Sequence, residues 1–482
     1  MKRRGAVVVG AGFAGLSAAV HLAAAGVEVT VLEQQEHIGG KAGNYCWQGY
    51  RFDTGPSVLT LPDILHKTFA SAGQRLPVKL VPLEQICRYS FASGRVWDVY
   101  RDVDKTIAQL SSHDARAYQE LLAVAEHMHK ISAPTFLYDE SPSLGKLLRF
   151  GLRYGWKAFP HKNLPQLLDH FGASPELKQF FLRFATYFGA DPFRAPAILH
   201  NISWAELGMG VYYPIGGISA LVRALGDLAR ELGVEIRTSE PVTQIVHRDG
   251  RVDGVSTDRA IYRSDVVISA LDIVTTYQLL GVPCRLASRE PSLSGFVLLL
   301  ALRGGAEMVG HHSVSFSPEY ETEFREIRQG RFPRDPTLYI NVSSKTDLSD
   351  APQGGENWFV MANAPARGDS SDTQQAGDEE AYADHLLTVL ERRGFTERKA
   401  VAHRKYLGPR SLSRYGHRGS IYGIAPHTLI STIRPSQTIK GLECLFLAGG
   451  TVHPGGGMPL AVLSGRHAAA MSLRKLRISS PL

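Results

Sequence analysis

The feature that most constrains this chain is a glycine-rich turn near its beginning, between a short apolar strand and a helix. The run Ala6 to Val9 is apolar and β-rich, which is typical of a strand buried on both faces. Gly10, Gly12 and Gly15 follow with the spacing G-x-G-x-x-G. This spacing permits a tight turn, lets the backbone approach a pyrophosphate, and lets the helix pack close to the strand. The order of strand, turn and helix therefore predicts an α/β domain that binds a dinucleotide.

A second apolar strand, Val27 to Leu32, ends at an acidic residue. Glu33 comes 18 residues after Gly15, near the ~20 at which a carboxylate binds the ribose. The pyrophosphate is expected at the helix N-terminus, where free N–H groups and the helix dipole favour anions. An acidic residue at this position disfavours a 2′-phosphate, so FAD or NAD is preferred to NADP. The alternative is a structural turn in some other α/β domain.

Another glycine pair follows directly after this acidic residue. The segment reads Gly39-Gly40-Lys41-Ala42, and Phe52-Asp53-Thr54-Gly55-Pro56 comes next. The extended pattern resembles the flavoprotein superfamily of amine oxidases and carotenoid desaturases, and this resemblance implies FAD as the cofactor. It also implies that Gly39, Gly40 and Lys41 lie along the ribityl–pyrophosphate chain, and we include Gly55 in the same binding set. The alternative for the glycine pair is a plain turn.

A second glycine-rich loop lies near the C-terminus. The strand Leu445 to Ala448 runs into Gly-Gly-Thr-Val-His-Pro-Gly-Gly-Gly-Met-Pro, and a helix begins at about Pro459, since proline is favoured in the first helical turn. The N-terminus of this helix is expected to point at the flavin and to stabilise negative charge on the reduced ring. The residues predicted to contact the cofactor here are Gly449, Gly450, Gly457 and Met458.

This loop and two further segments resemble bacterial carotenoid desaturases of the phytoene desaturase type. The loop is followed by Ser464-Gly465-Arg466, and the other two segments are Gly419–Gly423 and Phe184–Pro196. The last of these looks closest to the hydroxycarotenoid 3,4-desaturase branch. The resemblance spans nearly the whole chain and is most specific at its ends. It implies an FAD-dependent oxidoreductase that introduces C=C bonds into a carotenoid, with a quinone or oxygen as electron acceptor.

The resemblance also implies a two-domain architecture in which the FAD domain is discontinuous. Val242 begins a strand that returns to the FAD domain and meets the adenine through its backbone. The second domain is expected to be a mixed sheet with helices that holds the substrate and contacts a membrane. We predict a Rossmann-like FAD domain over 1–75, 205–285 and 415–482, and a substrate domain over 76–204 and 286–414.

Two departures from amine oxidases are visible. Those enzymes often attach FAD through a C-terminal cysteine, but Cys444 precedes the strand and lies outside the loop, so a covalent flavin is not expected. Their aromatic cage is not evident either, although Tyr415 and Tyr422 are placed to imitate part of it.

Composition excludes several other classes of protein. The chain has 482 residues and a net charge of +7 but no nucleic-acid-binding motif. The cysteines are scattered, without the spacing of a disulfide framework or a metal site. They are Cys46, Cys87, Cys284 and Cys444.

The N-terminus and the apolar runs bear on where in the cell the protein is found. Met1–Arg4 is basic and precedes an apolar run, but cleavage there as a signal peptide would destroy the glycine turn. No run approaches the ~18 apolar residues of a membrane span. We therefore expect a cytoplasmic protein that is peripheral on the cytoplasmic membrane.

The segment Ser141 to Lys162 combines Trp, Phe and Leu with basic residues that include Lys146, Arg149, Arg153 and Lys157. This pattern is typical of a helix that lies on an anionic membrane surface. An ordinary amphipathic helix packed on the domain is the alternative. The aromatic run Phe180 to Pro196 likewise suits either an apolar channel or, more usually, a core.

No catalytic residue follows firmly from the sequence. By chemistry alone, His453, Asp191 and Glu206 are candidates for a general base. We predict a late 3,4-desaturation of a hydroxylated acyclic carotenoid. The alternatives are a multi-step phytoene or diapophytoene desaturase, a carotenoid isomerase, an FAD amine oxidase, and a polyene carrier without activity.

Overall fold

The computed structural model describes residues 4–368 and 373–479, so the first three positions of the basic start lie outside the described part. A parallel sheet of five strands organises one half of the molecule. Its order is Leu445–Leu447, Val266–Ser269, Gly5–Val9, Glu28–Leu32 and Glu235–Arg237. The glycine-turn strand is central, and its residues are almost fully buried, as the apolar run predicts.

Three long helices pack against this parallel sheet: Phe13–Ala24, Ile218–Glu231 and Met458–Leu476. The first and last of them touch closely at Gly465. A Cβ there would lie 2.2 Å from the carbonyl oxygen of Ala14, so only glycine permits this approach. The contact fixes the C-terminal glycine loop beside the first glycine turn.

The second half is built on a mixed sheet of seven strands. Neighbouring strands are antiparallel except for His312–Ser315 and Gln85–Ser90, which are parallel. The strand order is Val401–Leu407, Ser294–Arg303, Gly355–Ala364, Leu338–Asn341, His312–Ser315, Gln85–Ser90 and Val96–Tyr100.

The two faces of this mixed sheet have different neighbours. Successive side chains of a strand point to opposite faces. Phe296 and Leu298 pack with the helix Thr373–Arg392, whereas Val297 and Leu299 belong to the opposite face. The opposite face is the one that borders the cavity described below.

Smaller sheets and helices complete the described part of the chain. Three antiparallel strands, Val242–Arg248, Arg251–Thr257 and Ile261–Arg263, form a separate sheet. The strands Asn44–Trp47 and Tyr50–Asp53 form a hairpin, and Leu80–Pro82 pairs with Tyr212–Pro214. The remaining α-helices are Asp63–Ala70, Val103–Ile107, Ser112–Phe136, Leu144–Tyr154, Leu164–His170, Pro175–Leu182, Ile202–Leu207, Ile273–Leu279, Tyr320–Arg328, Pro409–Leu412 and Leu429–Thr432. Short 3-10 helices include Gly155–Ala158, Arg183–Phe188 and Ala197–Asn201.

The predicted combination of an α/β domain and a mixed-sheet domain is confirmed. All strands of the parallel sheet come from residues 5–32, 235–269 and 445–447, and those of the seven-stranded sheet from 85–100 and 294–407. The domain bounds given above stay a prediction. Within 4–368 and 373–479, no helix has both the length and the apolar character needed to cross a membrane.

Candidate active site

A cavity of about 1230 Å³ lies between the two sheets. Its walls come from the first glycine turn, the C-terminal glycine loop, the mixed sheet and the helices Ser112–Phe136, Leu144–Tyr154 and Ile202–Leu207. Twelve of the thirteen predicted cofactor residues line it: Gly10, Gly12, Glu33, Gly39, Gly40, Lys41, Gly55, Val242, Gly449, Gly450, Gly457 and Met458.

The thirteenth residue, Gly15, has a packing role beneath the turn. A Cβ at Gly15 would lie 1.9 Å from the carbonyl oxygen of Gly10 and 3.2 Å from the Cβ of Ala270. The helix can therefore approach the strand only if this position lacks a side chain. Gly15 holds the cavity wall in place without lining it.

Glu33 is held at the edge of the first turn. Its Oε2 accepts a hydrogen bond from the backbone N–H of Ala11 at 2.8 Å, and its Oε1 accepts one from Gln35 at 2.9 Å. The side chain is buried but reaches the cavity wall. Each oxygen keeps a lone pair for a ligand hydroxyl, as expected of a ribose-binding carboxylate.

The second glycine pair closes over the first turn. A Cβ at Gly40 would lie 3.5 Å from the Cα of Gly12, so side chains here would fill the space beside the turn. Lys41 extends from this pair across the cavity wall, and its Nζ donates to the carbonyl oxygen of Ile421 at 2.6 Å. Burial lowers the pKa of Lys41, and the nearby Asp272 partly opposes this.

Asp272 is a cavity residue that the sequence reasoning missed. It caps the helix Ile273–Leu279, because its Oδ1 accepts from the N–H of Val274 at 2.8 Å. Its Oδ2 is buried and has no hydrogen-bond partner among the described residues. The signal available in the sequence was its place just after the strand Val266–Ser269, since ligands bind beyond the carboxyl ends of parallel strands.

The C-terminal loop is shaped by glycines and by one tyrosine. A Cβ at Gly456 would lie 1.9 Å from the Cδ1 of Tyr422, so the tyrosine ring lies flat against the loop. Gly457 has a φ of 107° and precedes the helix Met458–Leu476, where free N–H groups face the cavity. Tyr415 and Tyr422 both line the cavity.

His453 lies in this loop and lines the cavity. Its Nε2 is 2.9 Å from the carbonyl oxygen of Asp139, so Nε2 carries the proton and Nδ1 keeps its lone pair. Burial lowers the pKa of His453, although the Asp139 carbonyl partly opposes this. The ring is therefore neutral at pH 7 and has one basic nitrogen.

The other two candidate bases are engaged in ion pairs. Asp191 is absent from the cavity lining among the described residues, and its carboxylate accepts from Arg328 and from the N–H of Phe193. Glu206 lines the cavity, but its Oε1 accepts from Arg183 at 2.7 Å. The structure thus does not support Asp191 as a base. The carboxylate of Glu206 lies in the cavity wall but is paired with a buried arginine.

The aromatic run divides between the core and the cavity. Phe180, Phe181 and Phe184 are fully buried in a cluster with the helices Ser112–Phe136 and Leu164–His170. Tyr187 and Phe188 line the cavity instead. The core interpretation therefore holds for the first part of the run and the channel interpretation for the second.

Taken together, these residues fit both a dinucleotide and an apolar molecule. The first group of lining residues comprises the glycine turn and Glu33, and the second consists mainly of aliphatic and aromatic side chains. The cavity also exceeds the roughly 300–1,000 Å³ that is usual for a site with one drug-sized ligand. The second group includes Val58, Phe136, Leu147, Phe150, Ile198, Leu199, Ile202, Leu293, Val297, Phe359 and Met361.

Comparison with known families gives one match over most of the chain. The model described as "Flavin containing amine oxidoreductase" matches residues 13–471. Two solved structures share the fold at low sequence identity. An oxidoreductase from Methanosarcina mazei has a TM-score of 0.66 at 17% identity, covering 96% of this chain and 99% of that one. Cyclohexylamine oxidase from Brevibacterium oxydans has a TM-score of 0.64 at 15% identity, covering 98% and 100%.

Curated relatives are similar over nearly their whole length. The 1-hydroxycarotenoid 3,4-desaturase of Flavobacterium sp. is 30% identical, over 96% of this chain and 97% of its own. The 4,4'-diapolycopene oxygenase of Methylomonas sp. is also 30% identical, over 95% and 96%. The 4,4'-diaponeurosporene oxygenase of Staphylococcus aureus is 30% identical, over 96% and 97%.

Proposed function

Because this chain belongs to the flavin containing amine oxidoreductase family, we propose that it is an FAD-dependent desaturase of carotenoids. Within that class we propose a late step, the 3,4-desaturation of a hydroxylated acyclic carotenoid. The relative from Flavobacterium, whose name states this reaction, supports the specific step. The family match also makes the chain a flavin-dependent oxidoreductase.

The observation that carries the proposal is that one cavity is lined by both kinds of residue. The glycine turn and Glu33 line the same cavity as the aliphatic and aromatic side chains named above. A long hydrocarbon can therefore reach the same space as the cofactor. Small amines need no such apolar length, which disfavours the amine oxidase alternative.

Each half of the site has a distinct task in this proposal. The N–H groups of the turn at Gly10 and Gly12 bind the pyrophosphate, and Glu33 binds the ribose. Lys41, Gly55, Val242 and the C-terminal loop complete the cofactor site. Tyr422 and the apolar walls orient the polyene and exclude water.

Desaturation removes a hydride and a proton from adjacent carbons and leaves a C=C bond. When bound, the flavin supplies the acceptor for the hydride, and a quinone or oxygen then takes the two electrons. The proton needs an acceptor of its own. We assign it to Nδ1 of His453, the lone-pair nitrogen of a neutral ring in the cavity wall.

We further propose that the protein docks on the surface of an anionic membrane. The helix Leu144–Tyr154 has no buried residue: Leu147 and Phe150 face the cavity, whereas Leu148 and Leu152 are exposed. The short helix Leu429–Thr432 also borders the cavity and exposes Ile430. Two exposed apolar elements at the edge of an apolar cavity fit a route by which a carotenoid leaves the bilayer.

The test is expression in cells that accumulate defined acyclic carotenoids, with the pigments analysed by absorption and mass. We expect a loss of two hydrogens from a hydroxylated late carotenoid, with phytoene unchanged. Conversion of phytoene would instead assign the early, multi-step reaction. No mass change with any polyene, despite bound flavin, would refute the proposal.

A second candidate function is an oxygenase that acts on a carotenoid. Two relatives at the same 30% identity carry oxygenase names. The same pigment analysis separates the two functions, because oxygenation adds oxygen to the product mass and desaturation only removes hydrogen.

A further inference from the structure

A buried ion pair interrupts the apolar part of the cavity. Arg183 begins the 3-10 helix Arg183–Phe188, and Glu206 lies on the helix Ile202–Leu207. Both side chains line the cavity, although only 6% of Arg183 and 3% of Glu206 are exposed. The Nη2 of Arg183 donates to the Oε1 of Glu206 at 2.7 Å.

Two tyrosines complete this polar cluster, which consists of Tyr89, Arg183, Tyr187 and Glu206. The O–H of Tyr187 donates to the Oε2 of Glu206 at 2.9 Å, and its oxygen accepts from the Nη1 of Arg183. Tyr89 accepts from Nη2 and donates to Oε1 at 3.4 Å. Burial raises the pKa of Tyr187, so the phenol keeps its proton.

The cluster has unused hydrogen-bonding capacity. The Nε–H of Arg183 is buried and has no partner among the described residues. The carboxylate of Glu206 accepts three hydrogen bonds of the about four that its two oxygens can accept. The cluster therefore has one donor and one acceptor position that no described protein group uses, on two residues of the cavity wall.

Such a cluster is unfavourable beside a pure hydrocarbon. A buried ion pair is often no more stabilising than apolar residues of the same volume, and an unpaired buried N–H has a real free-energy cost. A ligand hydroxyl removes that cost, because its oxygen accepts from Arg183 while its O–H donates to Glu206. We propose that this polar cluster binds the hydroxyl end group of an otherwise apolar polyene. The proposal rests on the desaturase function above.

The cluster is joined to the C-terminal loop by one short helix. Phe188, at the other end of the 3-10 helix that begins at Arg183, packs against this loop, since a Cβ at Gly455 would lie 2.8 Å from its ring. The cluster and the loop therefore belong to the same part of the cavity wall.

The experiment compares two polyenes that differ only in the terminal hydroxyl, using the flavin-loaded enzyme. The first variant is Tyr187→Phe, which removes one hydroxyl from the cluster. Tyr118→Phe is the matched control, because Tyr118 is buried in the same core but is not among the described residues of the cavity wall. The second variant combines Arg183→Met with Glu206→Met, which removes both charges and leaves neither one buried alone.

We expect wild type to favour the hydroxylated polyene by at least about 10-fold in kcat/KM, since buried polar groups reject an analogue that cannot pair with them. Tyr187→Phe and the double variant should reduce that ratio by about 10-fold, through a weaker Kd for the hydroxylated polyene. Tyr118→Phe should retain the wild-type ratio.

Two outcomes overturn the proposal. Equal use of both polyenes by wild type excludes a hydroxyl site. An unchanged ratio in both the Tyr187 variant and a folded, flavin-loaded double variant assigns the cluster a structural role only. Failure of the desaturase function is distinct from both, because wild type would then convert neither polyene.

Discussion

The Oε2 atom of Glu33 lies 2.8 Å from the backbone nitrogen of Ala11, which joins the end of the second strand to the first glycine turn. The contact orients the carboxylate beside the turn that is proposed to bind the pyrophosphate. We expect Glu33→Ala to weaken flavin binding by roughly 10- to 100-fold, because hydrogen bonds to charged groups contribute about 1.5–3 kcal/mol. Titration of the apoprotein with FAD, followed by flavin fluorescence, measures this change.

Glu28→Ala is the control for this experiment. Glu28 lies at the exposed beginning of the same strand, so its loss should leave the dissociation constant of FAD unchanged. An equal effect of the two substitutions would show that the strand as a whole, and not the Glu33 carboxylate, determines binding.

Gly15 is expected to be intolerant of any side chain. A Cβ at this position would lie 1.9 Å from the Gly10 carbonyl oxygen, and a backbone atom cannot rotate away. We expect Gly15→Ala to destabilise the protein by about 1–3 kcal/mol, as overpacking usually does, and to lower its flavin content. The urea midpoint and the ratio of flavin to protein absorbance measure both effects.

Gly5→Ala serves as the comparison, because no atom lies within 4 Å of its Cβ position and its strand leads into the same glycine turn. A Gly15→Ala variant with the stability and flavin content of wild type would contradict the packing role.

The parts of the site that were easiest to predict from the sequence are those whose geometry depends on residues close together in the chain. Gly10, Gly12 and Gly15 lie on one strand–turn–helix unit, and Glu33 ends the next strand. Because the geometry of that unit is local, residue spacing alone was sufficient. The C-terminal loop was predictable for the same reason.

Side chains brought together from distant segments were not predictable. Lys41 meets the Ile421 carbonyl across 380 residues, and Arg183 meets Tyr89 across 94. These contacts depend on how distant segments pack together, which periodicity does not reveal. The ion pair of Asp191 was not predictable for the same reason, since its partner Arg328 comes from a helix 137 residues away.

His453 offers a test of the proton acceptor. A glutamine at this position can keep an N–H near the Asp139 carbonyl but has no titratable nitrogen. We expect His453→Gln to lower kcat by about 10²-fold or more, the usual contribution of a general base. Burial lowers the pKa of His453, so the wild-type rate should fall only below pH 6.5, where the ring gains a proton.

The measurement is kcat against pH for wild type and His453→Gln, each with its flavin content determined. His467→Gln is the control. The ring of His467 is stacked beside that of His453, with 5.9 Å between the ring centroids, and His467 is not among the described residues of the cavity wall. A rate within a few-fold of wild type for the His453 variant would assign this histidine to the loop structure alone.

The buried carboxyl group of Glu323 should make the free energy of unfolding depend on pH. It is buried on the helix Tyr320–Arg328, and burial raises its pKa from 4.5 to about 7. The folded state therefore binds this proton more tightly than the unfolded state. The stabilisation is complete below pH 4.5, decreases as pH rises from 4.5 to about 7, and amounts at most to about 3 kcal/mol.

Urea denaturation at several values between pH 4.5 and 8 should show this loss in wild type. Glu323→Gln should lack that component, because the amide does not titrate, whereas Glu321→Gln, on the exposed side of the same helix, should retain it. Parallel pH profiles for wild type and the Glu323 variant would contradict the prediction.

The exposed leucines of the helix Leu144–Tyr154 test the docking surface. Leu152 is 87% exposed, and the same helix and the residues after it carry Lys146, Arg149, Arg153 and Lys157. We expect wild type to float with anionic vesicles more than with neutral ones, and high salt to weaken this binding.

The variant that combines Leu148→Ser with Leu152→Ser tests the apolar contribution to this binding. It should lower the partition coefficient at least about 10-fold, since serine buries less apolar area in the membrane than leucine does. Leu348→Ser, at an equally exposed leucine (84%) that is not among the described cavity residues, should have no effect. Equal partition of wild type and the double variant would remove this helix from the docking surface.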